Sequence, residues 1–395
     1  MKRCIMIASI VLALIVALMI GISCPAQVSD ASAGIPIDEY KVTLLTQTMP
    51  LSLQDGSAIW DGASAYIFGG GTSGHTSGVI VKFDPETESA TALLDNLPCP
   101  RCATAAVYVA GPVFNTNNVS YIFGGCGEWY DCSGEVVRFF GEWYPGQWYD
   151  VHYGLNGGLS PGEWGMSAIW DGTHAYLFGG ITPNGSIEAA YSDDILEYTL
   201  LGSTVVVAKL PHAMGYTSAI WDGKNAYIFG GVYAEGYSNE IVRFNPDTNE
   251  VVTMNATLPT GVAFTCAVWD GRYAYIFGGE TNEADLNEIL RYDPSTDTLQ
   301  VLPVKLPFDT EGSVAVWTGS AAYVFGGQDV FGGTNHGDQI VMLSTIPASS
   351  NSQGLSPYLI YVPLIVVALV ASSLYIFARR RKHKLEQNQE RAPEI

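Results

Sequence analysis

The chain is poor in positive charge. Lysine and arginine together number 18 among 395 residues, against 39 acidic ones. Lys2 and Arg3 open the chain, and Arg379, Arg380, Arg381, Lys382, Lys384 and Arg391 sit at its end. With these and the tail's Glu386, Glu390 and Glu394 set aside, 10 basic and 36 acidic residues remain between the ends. Such a body repels phosphate backbones and anionic lipid headgroups, which disfavours nucleic acid as a partner. Charge of either sign is scarce, at 14%, whereas the chain holds 43 glycines, 22 tyrosines and 15 phenylalanines. That balance suits long helices poorly and suits many short strands joined by tight turns, so the expectation is an all-β fold.

Long apolar runs occur only near the two ends. Residues 1–33 read as an export signal: Lys2 and Arg3 precede an apolar run from Ile5 to Ile22, followed by small and polar residues. Cleavage after Ala26 or Ala33 and retention as a signal anchor both fit. Residues 346–357 form a Ser-rich linker, and residues 358–378 run 21 positions without a charge, enough to cross a bilayer as a helix. The basic run from Arg379 to Lys382 follows at once. By the positive-inside tendency, residues 379–395 form a cytoplasmic tail and the body faces out. The expected address is the cell membrane, with a single pass.

What fills the body is repetition. Trp221-Asp222-Gly223 leads after two residues to Ala226-Tyr227-Ile228-Phe229-Gly230-Gly231, and the same pattern begins at Trp60, Trp170 and Trp269. Trp317-Thr318-Gly319 opens a fifth copy, and a sixth keeps only Tyr121-Ile122-Phe123-Gly124-Gly125. The first glycines, Gly69, Gly124, Gly179, Gly230, Gly278 and Gly326, recur with a period near 50. After each pair come a polar loop and a strand such as Ile241-Val242-Arg243-Phe244-Asn245-Pro246. A last short strand ends in Leu-Pro, as at Leu258-Pro259, which makes four strands per unit.

Over about residues 41–345 these features together resemble the kelch family. The resemblance implies a six-bladed β-propeller with one four-stranded sheet per blade. The last unit lacks its fourth strand, and residues 41–46 match the outer strand of other units. The N-terminal strand is therefore expected to complete the last blade and remove its open edge. In this reading the repeated tryptophans, Trp60, Trp170, Trp221, Trp269 and Trp317, are packing residues. The loops after Gly-Gly and those before each first strand share one face.

Candidate chemistry lies on that face. Cys99, Cys102, Cys126 and Cys132 cluster in blade two, where an exported domain favours disulfides over zinc, with three pairings open. A thioredoxin-like role for Cys99-Pro100-Arg101-Cys102 lacks the βαβ context. Trp129 and Trp164 lie in the same blade's loops, and exposed aromatic rings suit sugar faces or partner hot spots. With them, His75, Tyr216, Tyr233, Glu280, Glu311, Gln328 and His336 form the candidate ligand-binding set. Kelch-like copper oxidases hold their metal by two His and two Tyr, one Tyr linked to Cys. His75 and His336 fall in adjacent blades, but no matching Tyr–Cys arrangement is evident. The expected function is non-catalytic binding of a protein or glycan through the outward loops, with no cofactor and no metal. The alternative is an extracytoplasmic carbohydrate-active enzyme, copper oxidase-like or sugar mutarotase-like.

Overall fold

The computed structural model describes residues 39–72, 75–113, 116–127, 134–140, 151–152, 163–183, 189–200 and 202–346. The expected signal, linker, membrane span and tail lie outside them, apart from Ile346 at the linker's start. Residues Tyr40–Ile346 form one compact unit.

Among the described residues, six four-stranded antiparallel sheets and four two-stranded ones make up this unit. Blade one comprises Ser57–Trp60, Ala65–Phe68, Val79–Asp84 and Ser89–Asn96, from the innermost strand outward. Blade two comprises Ala105–Val113, Thr116–Phe123, Val136–Phe139 and Val151–His152. Blades three, four and five begin at Ser167–Trp170, Ser218–Trp221 and Cys266–Trp269. Blade six takes Val314–Trp317, Ala321–Phe325 and Ile340–Ile346 from the C-terminal part, and its outer strand is Glu39–Leu44. The ring is thus closed by the N-terminal strand, two residues upstream of the expected 41–46. Closure gives the strand Ile340–Ile346 an outer partner, so blade six has four strands like the others.

The repeated motif explains itself in packing. Every residue of Ala226-Tyr227-Ile228-Phe229 is buried, because this second strand has a neighbouring blade on both sides. Phe229 meets Tyr292 of the next blade at 5.8 Å between ring centres, and Phe123 meets Tyr198 at 5.1 Å. The aromatic near the end of the third strand, Tyr292 before Asp293-Pro294 and Tyr198 before Thr199, is therefore the partner of the preceding blade's Phe before Gly-Gly. Edge-to-face pairs of this kind add to the burial of both rings. In the Trp-Asp-Gly turn, Asp222 Oδ1 accepts the backbone N–H of Lys224 and Asn225 at 2.7 Å each. Where Thr318 replaces the aspartate, its hydroxyl takes over by accepting from Ala321 N.

The tryptophans divide their surface. Each is half-buried and packs against a core between blades, as Trp60 does beside Val316 and Tyr323. Together with Tyr108 they also rim a lower axial cavity of about 250 Å³, which the packing expectation did not include.

Candidate functional site

A closed hoop of backbone hydrogen bonds circles the axis at the opposite, upper face. Its members are Asp55, Ala103, Gly165, Tyr216, Phe264 and Gly312, each two residues before an inner strand. Ala103 N donates to Asp55 O at 2.6 Å, Gly165 N to Ala103 O at 2.8 Å and Tyr216 N to Gly165 O at 2.6 Å. Phe264 N then donates to Tyr216 O, Gly312 N to Phe264 O and Asp55 N back to Gly312 O at 3.0, 3.0 and 2.7 Å. All six residues are left-handed, with φ between 52° and 66°. For Asp, Ala, Tyr and Phe that backbone costs about 1–2 kcal/mol each, and a strained residue held by its surroundings points to function.

Below the hoop, hydroxyls clasp one blade to the next. Ser57 meets Thr104 at 2.8 Å, Ser167 meets Thr217 at 2.7 Å and Ser218 meets Thr265 at 2.8 Å. These groups line an upper axial cavity of about 160 Å³.

The hoop's side chains form its mouth. Tyr216 and Phe264 stack at 4.0 Å between ring centres. The Tyr216 ring lies over Gly165, and the Asp55 carboxylate leans over Gly312, where neither glycine offers a side chain to obstruct them. A bridge before each inner strand brings in a second tier: Ala263 pairs with Glu280, and Glu311 with Gln328. Gln328 Nε2 donates to Glu311 Oε1 at 2.9 Å, and the Tyr237 hydroxyl donates to Glu280 Oε1 at 2.8 Å.

Burial sets the protonation here. Glu311 is 7% exposed, and burial, with its hydrogen bond to Glu280, pushes it up to about 9. Glu280 is the less buried of the two. Asp55 opens onto the upper cavity yet is walled by protein, and lost hydration, then Glu280, raises it to about 7. Glu163, buried with Oε2 lacking a hydrogen-bond partner, is raised to about 7 by burial and then by Asp194.

A carboxyl whose pKa is raised on folding binds its proton more tightly in the folded state. Its contribution is full below the unfolded value and is lost as pH rises through the folded one. From these three groups, melting temperature is expected to fall between about pH 5 and pH 9. Glu311→Gln, which keeps the hydrogen-bonding shape without the charge, should flatten that decline. A decline as steep in the variant would remove Glu311 as its source.

The structure brings together Tyr216, Glu280, Glu311 and Gln328 from the candidate set, and leaves the others apart. Trp164 is 7% exposed, in a small cluster with Ala103, Cys126 and Ile181. It is a wall of the upper face, not an exposed ring. Tyr233 stacks on His212 at 5.7 Å, and His336 on Phe308 at 4.1 Å. His75 is exposed on the hairpin of blade one. Trp129 and Cys132 lie outside the described residues. Among the described residues, no three or more His, Cys, Asp or Glu converge as metal ligands, and no disulfide is present.

Asp55, Tyr237 and Glu163 belong to the upper face and were missed. The signal for Asp55 was its register: it holds the same position before an inner strand as Tyr216 and Phe264.

Residues 147–327 match the family model described as KLHDC2/KLHL20/DRC7 Kelch-repeats domain. The chain is also 31% identical over 232 residues to a Kelch domain-containing protein of Archaeoglobus fulgidus, a match covering 49% of this chain and 67% of that protein.

Proposed function

The chain belongs to the kelch-repeat family of β-propellers, and on that premise we propose that its upper face binds a protein partner presenting a basic segment. Kelch propellers act in general through protein–protein interaction. The observation that carries the finer reading is the mouth. Asp55, Glu280 and Glu311 gather there beside a stacked Tyr216–Phe264 pair, on a body with 36 acidic residues and 10 basic ones. A lysine or arginine entering the mouth displaces the proton that Glu311 holds, pairs with the carboxylates and rests against an aromatic face. Charge complementarity of this kind guides encounter and fixes register more than it adds affinity.

In this proposal the propeller stands outside the cell. Residues 358–378 anchor it, and residues 379–395 lie in the cytoplasm. Both ends of the propeller leave by the lower face: Ser344 pairs with Ala321 beside the Thr318 turn, and the outer strand Glu39–Leu44 starts at the same level.

Intact cells carrying the full chain would be treated with a membrane-impermeant cross-linker, beside cells carrying the Glu280→Gln, Glu311→Gln double variant. The expected result is a discrete cross-linked partner that the double variant loses and that weakens as ionic strength rises. Capture undiminished in the double variant would overturn the mouth as the binding site. Capture obtained only after lysis would overturn the surface location.

A further inference from the structure

We propose that Cys102 and Cys126 form a disulfide that clasps the upper loop of blade two. Their backbones already exchange both hydrogen bonds of an antiparallel pair, Cys102 N to Cys126 O and Cys126 N to Cys102 O, each at 2.9 Å. Such a pair holds its Cα atoms about 5.5 Å apart, within the range a disulfide spans.

The other blades show where the side chains of this pair point. The equivalent pair in blade six is Glu311 and Gln328, whose side chains hydrogen-bond at 2.9 Å. In blade three it is Trp164 and Ile181, which share one apolar cluster. The bridge therefore puts both side chains on one side of the strand pair. In blade two the two side chains are thiols. Cys102 Sγ lies 3.6 Å from Cys126 O, and the two thiols feel each other electrostatically. Among the described cysteines, this is the pair that an antiparallel bridge joins.

The bond forms by thiol–disulfide exchange with a small-molecule disulfide, R–S–S–R. One cysteine loses its proton and attacks a donor sulfur, releasing one R–S⁻ and leaving a mixed disulfide. The second cysteine then loses its proton, displaces the other R–S⁻ and closes the bond. Two protons leave the protein and are taken up by the two released thiolates. The protein is oxidised by two electrons and the donor is reduced to two R–SH. Burial pushes the Cys102 thiol up to about 12 and leaves Cys126 6% exposed, so exchange in the folded protein is slow in both directions. The clasp is thus a durable wall beside the mouth.

The full chain would be refolded in a buffer of an oxidised and reduced small-molecule thiol couple, quenched by alkylation, digested and mapped. This readout does not depend on the partner or on the surface location. The expected result is a peptide joining Cys102 to Cys126, lighter by two hydrogens than its separate parts, resisting reductant until denaturant is added. Cys102→Ser should lose that peptide and leave Cys126 open to alkylation in denaturant. Full alkylation of both cysteines after oxidative refolding would overturn the proposal. So would a bond from either to Cys99 or Cys132 in its place.

Discussion

Gly230→Ala is expected to destabilise the propeller by about 2–5 kcal/mol, the sum of two separate costs. The first is local: Gly230 sits at φ 60°, where a Cβ costs about 1–2 kcal/mol. The second arises between blades. An alanine methyl at this position lands on the carbonyl oxygen of Val262, which belongs to the next blade's loop. That carbonyl accepts Gly231 N–H at 2.8 Å, so it cannot retreat without breaking the bond that holds the two blades together. Overpacking of this kind costs about 1–3 kcal/mol. Gly223→Ala supplies the control. Gly223 is also left-handed, at φ 98°, but a methyl there meets nothing within 4 Å. Denaturant melts of the two variants therefore separate backbone strain from clash. If Gly230→Ala costs no more than Gly223→Ala, the contact between blades is not what the glycine serves.

Arg101→Ala should cost about 3–5 kcal/mol as well, for an electrostatic reason. Arg101 is 1% exposed. Its guanidinium pairs with Glu135 at 2.6 Å, donates to Gly124 O at 3.0 Å and to Cys99 O at 3.2 Å. Truncation takes the guanidinium away from a carboxylate that is only 12% exposed and from two carbonyls. In three other blades the same register holds the buried Leu53, Met214 and Val262, and in the remaining two the buried Glu163 and Thr310. The site therefore accepts an apolar side chain once the charge opposite is removed too. Arg101→Met combined with Glu135→Gln is expected to recover most of the loss, since a buried ion pair and a well-packed apolar substitute are often close in stability. A double variant as unstable as Arg101→Ala would show that the arginine's shape, not its charge pairing, holds the site.

The contrast between scaffold and site explains what the sequence could disclose. Strands, turns and blade number were legible because they repeat. Phe229 must meet Tyr292 much as Phe123 must meet Tyr198, so the same residue types return at a fixed spacing. The closing strand was legible for the same reason, as a missing fourth strand found at the other end. The mouth is built in the opposite way. Asp55, Ala103, Gly165, Tyr216, Phe264 and Gly312 share one backbone conformation but not one chemical character. Repetition, the signal that revealed the frame, is silent at the positions that give it individuality. Tyr216, Glu280, Glu311 and Gln328 were reachable through their distance from Gly-Gly or from an inner strand. The proton held by Glu311 and the part played by Asp55 needed the blades to be curled together. Arg101 was hidden differently, inside Cys99-Pro100-Arg101-Cys102, where the cysteines drew the reading and the buried cation between them went unremarked.

The hoop has a consequence for how such a chain can change. Successive members are separated by between 48 and 62 residues, yet each is joined to the next by one backbone hydrogen bond of similar length. The circumference is thus indifferent to how much chain each blade spends further out. Loops on the upper face can lengthen, shorten or exchange sequence without altering the radius of the ring or the setting of its neighbours. Variation accumulates at the rim while the axle keeps its gauge.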